Sequence, residues 1–340
     1  MKNKKLRLGL PRALFYYYYA PWWETFWQAL GVEVVVSPPT NKEIMDLGVS
    51  LAVAEACLPV KIYYGHTAWL AGQVDVLFVP RLVSVEKKSF ICPKLMGLPD
   101  MLRAAVKPCP PIIDTVINCV RQPQEGLAAA VEDMAGRVGF RGREVQSARE
   151  AAQERYLCWL ERQQMGRANG ATDLTSASAA GAAVSETGKP GLIDSAPAQA
   201  GSLKVGLVGH AYLIHDRFLS MDIPAKVKKM GGEITLPENL PPDQIALACR
   251  QLPKRLFWTL GQKIMGSVLS LIEQDSIAGI IHLTAFGCGP DSLVGDLAER
   301  YARRRGTPFL LLTIDEHTGE AGVNTRLEAF MDMLPRRYSA

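Results

Sequence analysis

The chain has 340 residues, of which 48% are hydrophobic, so it can bury a sizeable core, and its length suits two lobes better than one. Its net charge of only +4 argues against binding to nucleic acid, and the basic clusters at residues 303–305 and 336–337 are predicted to lie on solvated faces. No run of about 18 apolar residues occurs, and the first apolar stretch ends at Pro11, so we expect neither a membrane span nor a signal peptide, and a cytoplasmic location.

Strand and helix patterns alternate along most of the chain. Candidate strands, rich in Val, Leu and Ile, lie at residues 6–10, 33–37, 74–80, 111–117, 204–209, 233–236, 278–286 and 308–314. Continuous apolar strands that alternate with helices are typical of parallel sheets covered on both faces. The predicted fold class is therefore α/β with parallel sheets.

A segment at residues 166–202 divides these strands into two groups. It is rich in Gly, Ala, Ser and Thr and has no aromatic residue and no apolar period, which is typical of a flexible linker or surface insertion. We therefore predict an N-terminal α/β lobe at 1–165, a flexible low-complexity insertion at 166–202 and a C-terminal α/β lobe at 203–340. Both lobes open on a strand, an aromatic loop, a helix, a glycine and a second strand, which suggests a duplication.

The aromatic segment at residues 15–27 allows three interpretations. It could contact a membrane surface, stack against a nucleotide-like ligand, or pack inside the protein. Core and interlobe packing is the interpretation we favour.

Three of the seven cysteines share one local pattern, in which a proline follows within two residues at or near a predicted helix start; Cys109 also precedes prolines, but it lies before a predicted strand. The patterns are Cys57-Leu58-Pro59, Cys92-Pro93 and Cys288-Gly289-Pro290, and proline suits a first helical turn. We predict helices from residue 59, from near 99 and from near 291, whose positive ends would lower cysteine pKa values and favour thiolates.

The setting of Cys288 is the most informative of the three. It directly follows the apolar run at 278–286, and ligands of open α/β sheets bind beyond the carboxyl ends of the strands. The spacings match no short CxxC pattern, so from the residues alone a shared metal site, a structural zinc site and unrelated buried thiols all remain open. The other cysteines are predicted to be structural: 109, 119, 158 and 249.

Two histidines stand in informative places. His282 lies inside an apolar strand and is predicted to be a hydrogen-bonded core residue. His317 lies in the polar run at residues 315–320, which ends at Glu320 and could be acid/base machinery, a metal site or a helix cap. The sequence has no P-loop and no GxGxxG pattern, so any ATP dependence would come from a partner.

Taken together, these stretches resemble a known family. The motifs are LGLPRALFYYYYAPWW, EACLPVKIYYGH, FVPRLVSVEKKSFICPKLMGLPD, GLVGHAYLIHD, LTAFGCGPDS and TIDEHTGEAGVNTRLEAF. They are similar to the acyl-CoA dehydratase activase-related proteins, or CoA protein activases. That family is related to the catalytic component of 2-hydroxyacyl-CoA dehydratases and to double-cubane cluster proteins.

The resemblance implies two Rossmann-like lobes with a cluster cleft between them. By motif, Cys57 in EACLP, Cys92 in CPK and Cys288 in FGCG would hold a [4Fe–4S] cluster, or a double-cubane [8Fe–9S] cluster. Three thiolates would leave one iron of a cube without a protein ligand. In the dehydratases that the family resembles, an ATP-hydrolysing activase supplies the electron that drives loss of a hydroxyl group from an acyl-CoA.

The expected function follows from this resemblance. We expect an iron–sulfur protein, in a dimer, that takes low-potential electrons from an ATP-dependent activase and drives reductive or radical chemistry on an acyl-CoA, with His317 and Glu320 handling protons. The alternatives are a double-cubane reductase of small molecules and a non-catalytic electron carrier or cluster scaffold. The sequence leaves open whether the protein is an enzyme.

Overall fold

The computed structural model describes residues 5–165 and 203–338. The predicted flexible insertion, residues 166–202, lies outside the described residues. Within the described ranges the strands form three sheets, and every strand pair is parallel. The protein thus has the predicted α/β fold with Rossmann-like lobes.

The first lobe contains six short strands and seven helices. The strands are β1 (Arg7–Leu10), β2 (Glu33–Val36), β3 (Val76–Phe78), β4 (Arg81–Ser84), β5 (Ile112–Ile113) and β6 (Val116–Asn118). The helices are α1 (Tyr16–Ala29), α2 (Lys42–Leu51), α3 (Leu58–Ala71), α4 (Pro93–Met96), α5 (Leu98–Ala105), α6 (Pro123–Gly136) and α7 (Arg143–Met165). The main sheet has the order β2-β1-β3-β5, and β4 pairs with β6 in a separate ribbon.

The second lobe contains four strands and six α-helices. The strands are β7 (Leu203–Gly209), β8 (Gly232–Thr235), β9 (Ile277–Ala285) and β10 (Phe309–Ile314). The helices are α8 (Ala211–Ile214), α9 (Ile223–Lys229), α10 (Pro242–Cys249), α11 (Thr259–Ile272), α12 (Gly289–Arg304) and α13 (Glu320–Tyr338). The sheet order is β8-β7-β9-β10. When only the strands of each main sheet are counted, both sheets have the order second-first-third-fourth. The suggested duplication predicts such a shared order.

Two element boundaries differ most from the sequence-based prediction. The predicted strand at 111–117 is divided into β5 and β6 by a gap of two residues. The register of the facing strands puts Pro80, which has no backbone N–H to donate, opposite this gap, and the hydrogen bonds from Val79 to Ile113 (3.1 Å) and from Arg81 to Thr115 (2.9 Å) continue on either side of it. The helix after Cys92 begins at once with the single turn α4, rather than near residue 99, because Pro93 takes the first helical position.

The aromatic segment at residues 15–27 is mostly core, as favoured from the sequence. Phe26 and Trp27 on α1 are fully buried, and the ring of Trp27 packs edge-to-face on Phe78 of β3 at 5.4 Å. The helix also faces the second lobe, where the hydroxyl of Tyr18 accepts a hydrogen bond from the amide of Ala211 at 3.0 Å. No helix in the described part of the chain is long and apolar enough to cross a membrane.

A buried polar network also joins the two lobes. Asp216, only 3% exposed, accepts hydrogen bonds from the hydroxyls of Tyr17 (3.1 Å) and Thr40. In a second interlobe contact, the ammonium group of Lys61 on α3 is paired with the carboxylate of Glu316, which follows β10. These contacts place the amino-terminal end of α3 against the second lobe.

Candidate metal centre

The three cysteines of the shared pattern all stand at helix starts. Cys57 is the N-cap of α3, Cys92 the N-cap of α4 and Cys288 the N-cap of α12, and each helix carries proline in its first turn. All three side chains line one cavity, to which both lobes contribute. The structure therefore brings together the three predicted ligands, and their binding of a metal stays a prediction.

The cavity is narrow and largely apolar. Its volume is about 30 Å³, room for ~2 water molecules, so a larger group would require the thiols to move apart. Apolar walls come from both lobes, and the charged or titratable lining groups besides the cysteines are Lys94, His210, Tyr212 and Asp291. A few polar groups in an apolar cavity are typical of a ligand site.

The thiol pKa values do not follow the expectation from the helix starts. Burial raises the pKa of Cys57, and although the ammonium group of Lys94 opposes this, the nearby Cys92 adds to it. Burial also raises the pKa of Cys288, and the carboxylate of Asp291 raises it further. The prediction of lowered pKa values was wrong for these two residues, because desolvation outweighs the helix ends. Binding of a metal cation would release their protons.

Lys94 connects the three segments that carry the cysteines. It lies two residues after Cys92, and its ammonium group donates hydrogen bonds to the carbonyl oxygens of Glu55 at 2.8 Å and Gly287 at 3.4 Å. These two residues lie directly beside the Cys57 and Cys288 segments. Gly287 itself has φ +75°, a left-handed conformation that favours glycine, and it lies beside the Cys57 backbone. Sequence reasoning missed Lys94, for which the only signal was its place in the CPK motif.

A buried acid–histidine cluster lies behind Cys288. Asp291 accepts a hydrogen bond from the hydroxyl of Thr284 at 2.7 Å, and its carboxylate lies 3.6 Å from His210 and 3.7 Å from His282. Despite the burial of Asp291, these neighbours hold its pKa well below the ordinary value, so the carboxylate is charged. His282 lies in the core as predicted, but neither ring nitrogen makes a hydrogen bond within the described residues. His210 was not singled out from the sequence.

The predicted proton-handling residues lie elsewhere. His317 and Glu320 are both exposed, and the carboxylate of Glu320 pairs with the ammonium group of Lys226 at 2.5 Å. Asp315 and Thr318 close the loop with a hydrogen bond of 2.7 Å. The loop lines a second cavity, of about 360 Å³, which shares no lining residue with the cysteine cavity. His317 and Glu320 thus do not join the three cysteines, and their catalytic role stays a prediction.

A third and larger cavity adjoins the cysteine cavity. It has a volume of about 730 Å³, and Leu260 lines both. Its walls include the stacked rings of Tyr156 and Trp159, whose centroids are 5.6 Å apart, and the cationic side chains of Arg250 and Lys263. Glu238 also lines the cavity and pairs with Lys263 at 3.0 Å, so Arg250 is a cation that, together with the two rings and the size of the cavity, fits an organic anion with a flat ring.

Two family models match the chain. One, described as "CoA enzyme activase uncharacterised domain", matches residues 7–240, more than half of the chain, and includes Cys57 and Cys92. The other, described as "2-hydroxyglutaryl-CoA dehydratase, D-component", matches residues 237–334 and includes Cys288. No curated protein matches the chain. The two matches support the predicted family in its broad form, and cysteines from both matched regions line the cavity.

Proposed function

Because the chain belongs to the family of the CoA enzyme activase uncharacterised domain, we propose that it is an iron–sulfur protein that receives low-potential electrons from a separate ATP-dependent activase. A [4Fe–4S] cluster, when bound, would supply one-electron chemistry for a reductive or radical reaction. The observation that carries the proposal is the meeting of three helix-capping cysteines, from both lobes, on one cavity.

The residues around the cavity fit an anionic cluster. Three thiols are the donor set of a site-differentiated cube, and here they stand at the positive ends of three helices. The ammonium group of Lys94 adds positive charge at the same place. Apolar walls would limit the access of water, which helps to set the potential of a cluster.

Counting iron and sulfide in protein purified without oxygen tests this proposal. We expect about four irons per chain for one cube and about eight for a double cubane. Replacement of Cys57, Cys92 or Cys288 by Ser should remove most of the iron, whereas Cys158→Ser and Cys249→Ser serve as controls and should retain it. Wild-type iron in Cys288→Ser, or zinc without sulfide in the wild type, would refute the assignment.

The activase would dock where apolar side chains are exposed next to the cysteines. Phe286 (69% exposed) and Leu293 (66%) flank Cys288 along the chain, and Val53 (64%) precedes Cys57. Exposed apolar residues grouped in this way are typical of an interaction surface. We expect Leu293→Ser to slow ATP-dependent reduction by an activase.

The matched control for this docking surface is Leu127→Ser, which changes an exposed leucine on α6 in the first lobe. Equal rates of reduction for the two variants would move the docking surface elsewhere. If an activase neither binds nor reduces the iron-loaded wild type, the electron-relay proposal fails, and a cluster scaffold becomes the better interpretation.

We place the substrate in the large cavity that Tyr156 and Trp159 line, because this cavity adjoins the cysteine cavity at Leu260. The cavity at the loop of residues 315–320 does not adjoin the cysteine cavity. An acyl-CoA has the flat ring and the negative charge that the large cavity suits. Trp159→Leu should then raise KM for a 2-hydroxyacyl-CoA and leave the iron content unchanged. Absence of turnover in the iron-loaded, reduced protein would favour the non-catalytic carrier.

A further inference from the structure

His210 and Cys288 are neighbours because of the sheet order. His210 directly follows β7 and Cys288 follows β9, and these strands are adjacent in the order β8-β7-β9-β10. From β7 the chain continues to β8 at one edge of the sheet, and from β9 it continues to β10 at the other edge. The gap between the carboxyl ends of β7 and β9 is therefore a topological switch point. Crevices at such points are where open α/β sheets bind ligands. His210 therefore reaches the cysteine cavity as a consequence of topology.

The surroundings of His210 leave one of its ring nitrogens without a partner. The side chain is 6% exposed, its ring stacks on Tyr212 at 4.8 Å, and its Nε2 lies 3.6 Å from Oδ2 of Asp291. Its Nδ1 is buried and makes no hydrogen bond to any residue that the structure describes. Leaving such a polar atom desolvated and unpaired is unfavourable.

We propose that His210 is the fourth protein ligand of the metal group held by Cys57, Cys92 and Cys288. Candidate ligand atoms of His210, Cys288 and Asp291 lie within 4.8 Å of one another. A histidine that binds a metal usually has its other nitrogen next to a carboxylate, and Nε2 of His210 lies 3.6 Å from Oδ2 of Asp291. The ligand is the ring nitrogen that faces away from Asp291, and the identity of the metal group rests on the function proposed above.

Asp291 positions the histidine and is not itself the ligand. Its Oδ2 accepts a hydrogen bond from Thr284, and the carboxylate faces His282 as well as His210. A fourth ligand from the protein closes the coordination position that three thiolates leave open. The group then exchanges electrons with a substrate without binding it, and a neutral imidazole in place of a thiolate raises its potential.

Electron spin-echo spectroscopy of the reduced, iron-loaded protein tests whether His210 is a ligand, because a coordinated nitrogen couples to the electron spin of the cluster. Labelling histidine with ¹⁵N identifies the coupling as one from histidine. We expect a strong histidine coupling in the wild type, its loss in His210→Gln and its retention in the control His215→Gln. His215 lies five residues further along and faces Glu238 instead. Asp291→Asn should weaken iron binding about 10–100-fold. Absence of the coupling in the iron-loaded wild type overturns the ligand assignment and leaves the proposed function intact.

A second variant keeps the proposal testable if His210→Gln fails to fold. His210→Cys supplies a thiolate at the same position, and its midpoint potential should be more negative than that of the wild type; an unchanged potential would overturn the assignment. If the wild type binds zinc and no sulfide, the proposed function fails separately. The zinc content of His210→Gln then tests whether His210 is a ligand. Undiminished zinc would refute that assignment, and a loss of zinc would support it.

Discussion

The ion pair between Lys61 and Glu316 links the two lobes beside Cys57, and we expect Lys61→Met to destabilise the protein strongly. The two side chains are only 6% and 15% exposed. Removing one partner of a buried pair leaves the other charge uncompensated, which costs about 3–5 kcal/mol. Because Glu316 keeps some contact with solvent, we expect the lower end, about 3 kcal/mol, for Lys61→Met.

Urea unfolding at pH 7 and 25 °C measures this loss of stability. The single variants Lys61→Met and Glu316→Gln and the double variant Lys61→Met/Glu316→Gln together form a double-mutant cycle. Removing both charges leaves no unpaired group, so the double variant should lose less than the two single variants combined, with a coupling of about 2 kcal/mol. Lys42→Met is the control, since its pair with Asp46 is exposed and contributes less than about 0.5 kcal/mol. A coupling below about 0.5 kcal/mol would refute the buried-pair reasoning.

The same pair predicts a pH dependence. Burial opposes the charged form of Glu316, but the hydrogen bond and charge of Lys61 hold the pKa of the carboxyl below its ordinary value. A lowered pKa contributes stability above the unfolded value of about 4.3, and that contribution is lost as the pH falls through the folded pKa. The difference in unfolding free energy between the wild type and Lys61→Met should therefore shrink below about pH 4.

Two further predictions concern helix packing and proton transfer. A Cβ atom at Gly48 of α2 would lie 1.9 Å from the carbonyl oxygen of Lys61 on α3, so Gly48→Ala should lower the free energy of unfolding by about 1–3 kcal/mol, measured by thermal unfolding. Gly72→Ala is the control, because a Cβ atom there would meet nothing within 4 Å. An unchanged stability of Gly48→Ala would contradict the close crossing of α2 and α3. Because the loop at residues 315–320 lies apart from the cavity in which we place the substrate, His317→Ala and Glu320→Gln should be reduced by an activase and turn over normally; slower turnover in either variant would support the predicted proton-handling role and contradict that placement.

The α/β class was predictable because strands of a parallel sheet that are buried on both faces have continuous apolar sequences. The run IAGIIHLTA became β9, whose nine residues are all buried. The strand predicted at 111–117 was too long, because Pro80, between the facing strands β3 and β4, has no backbone N–H to donate to it. A pattern that is read locally contains no such partner.

The candidate site was predictable in part. The proline that follows each cysteine indicated helix starts, and the cysteines do cap α3, α4 and α12. Lys94 could not be found in this way, since its acceptors are backbone carbonyls 39 and 193 residues distant. His210 requires the adjacency of β7 and β9, which only the sheet order supplies. The direction of the thiol pKa shifts depends on burial, which a motif does not describe.

The division of the cysteines between the lobes has a mechanical consequence. A metal group bound to Cys57, Cys92 and Cys288 would act as a cross-link that closes chain loops of 35 and 196 residues. Loops of this size reduce the conformational entropy of the unfolded chain by several kcal/mol when they are closed by a covalent bridge. Loading would then add a cross-link to the buried contacts that already join the lobes, and oxidative loss of the group would remove it. Resistance to proteolysis between the lobes would thus report on metal content without any assay of electron transfer.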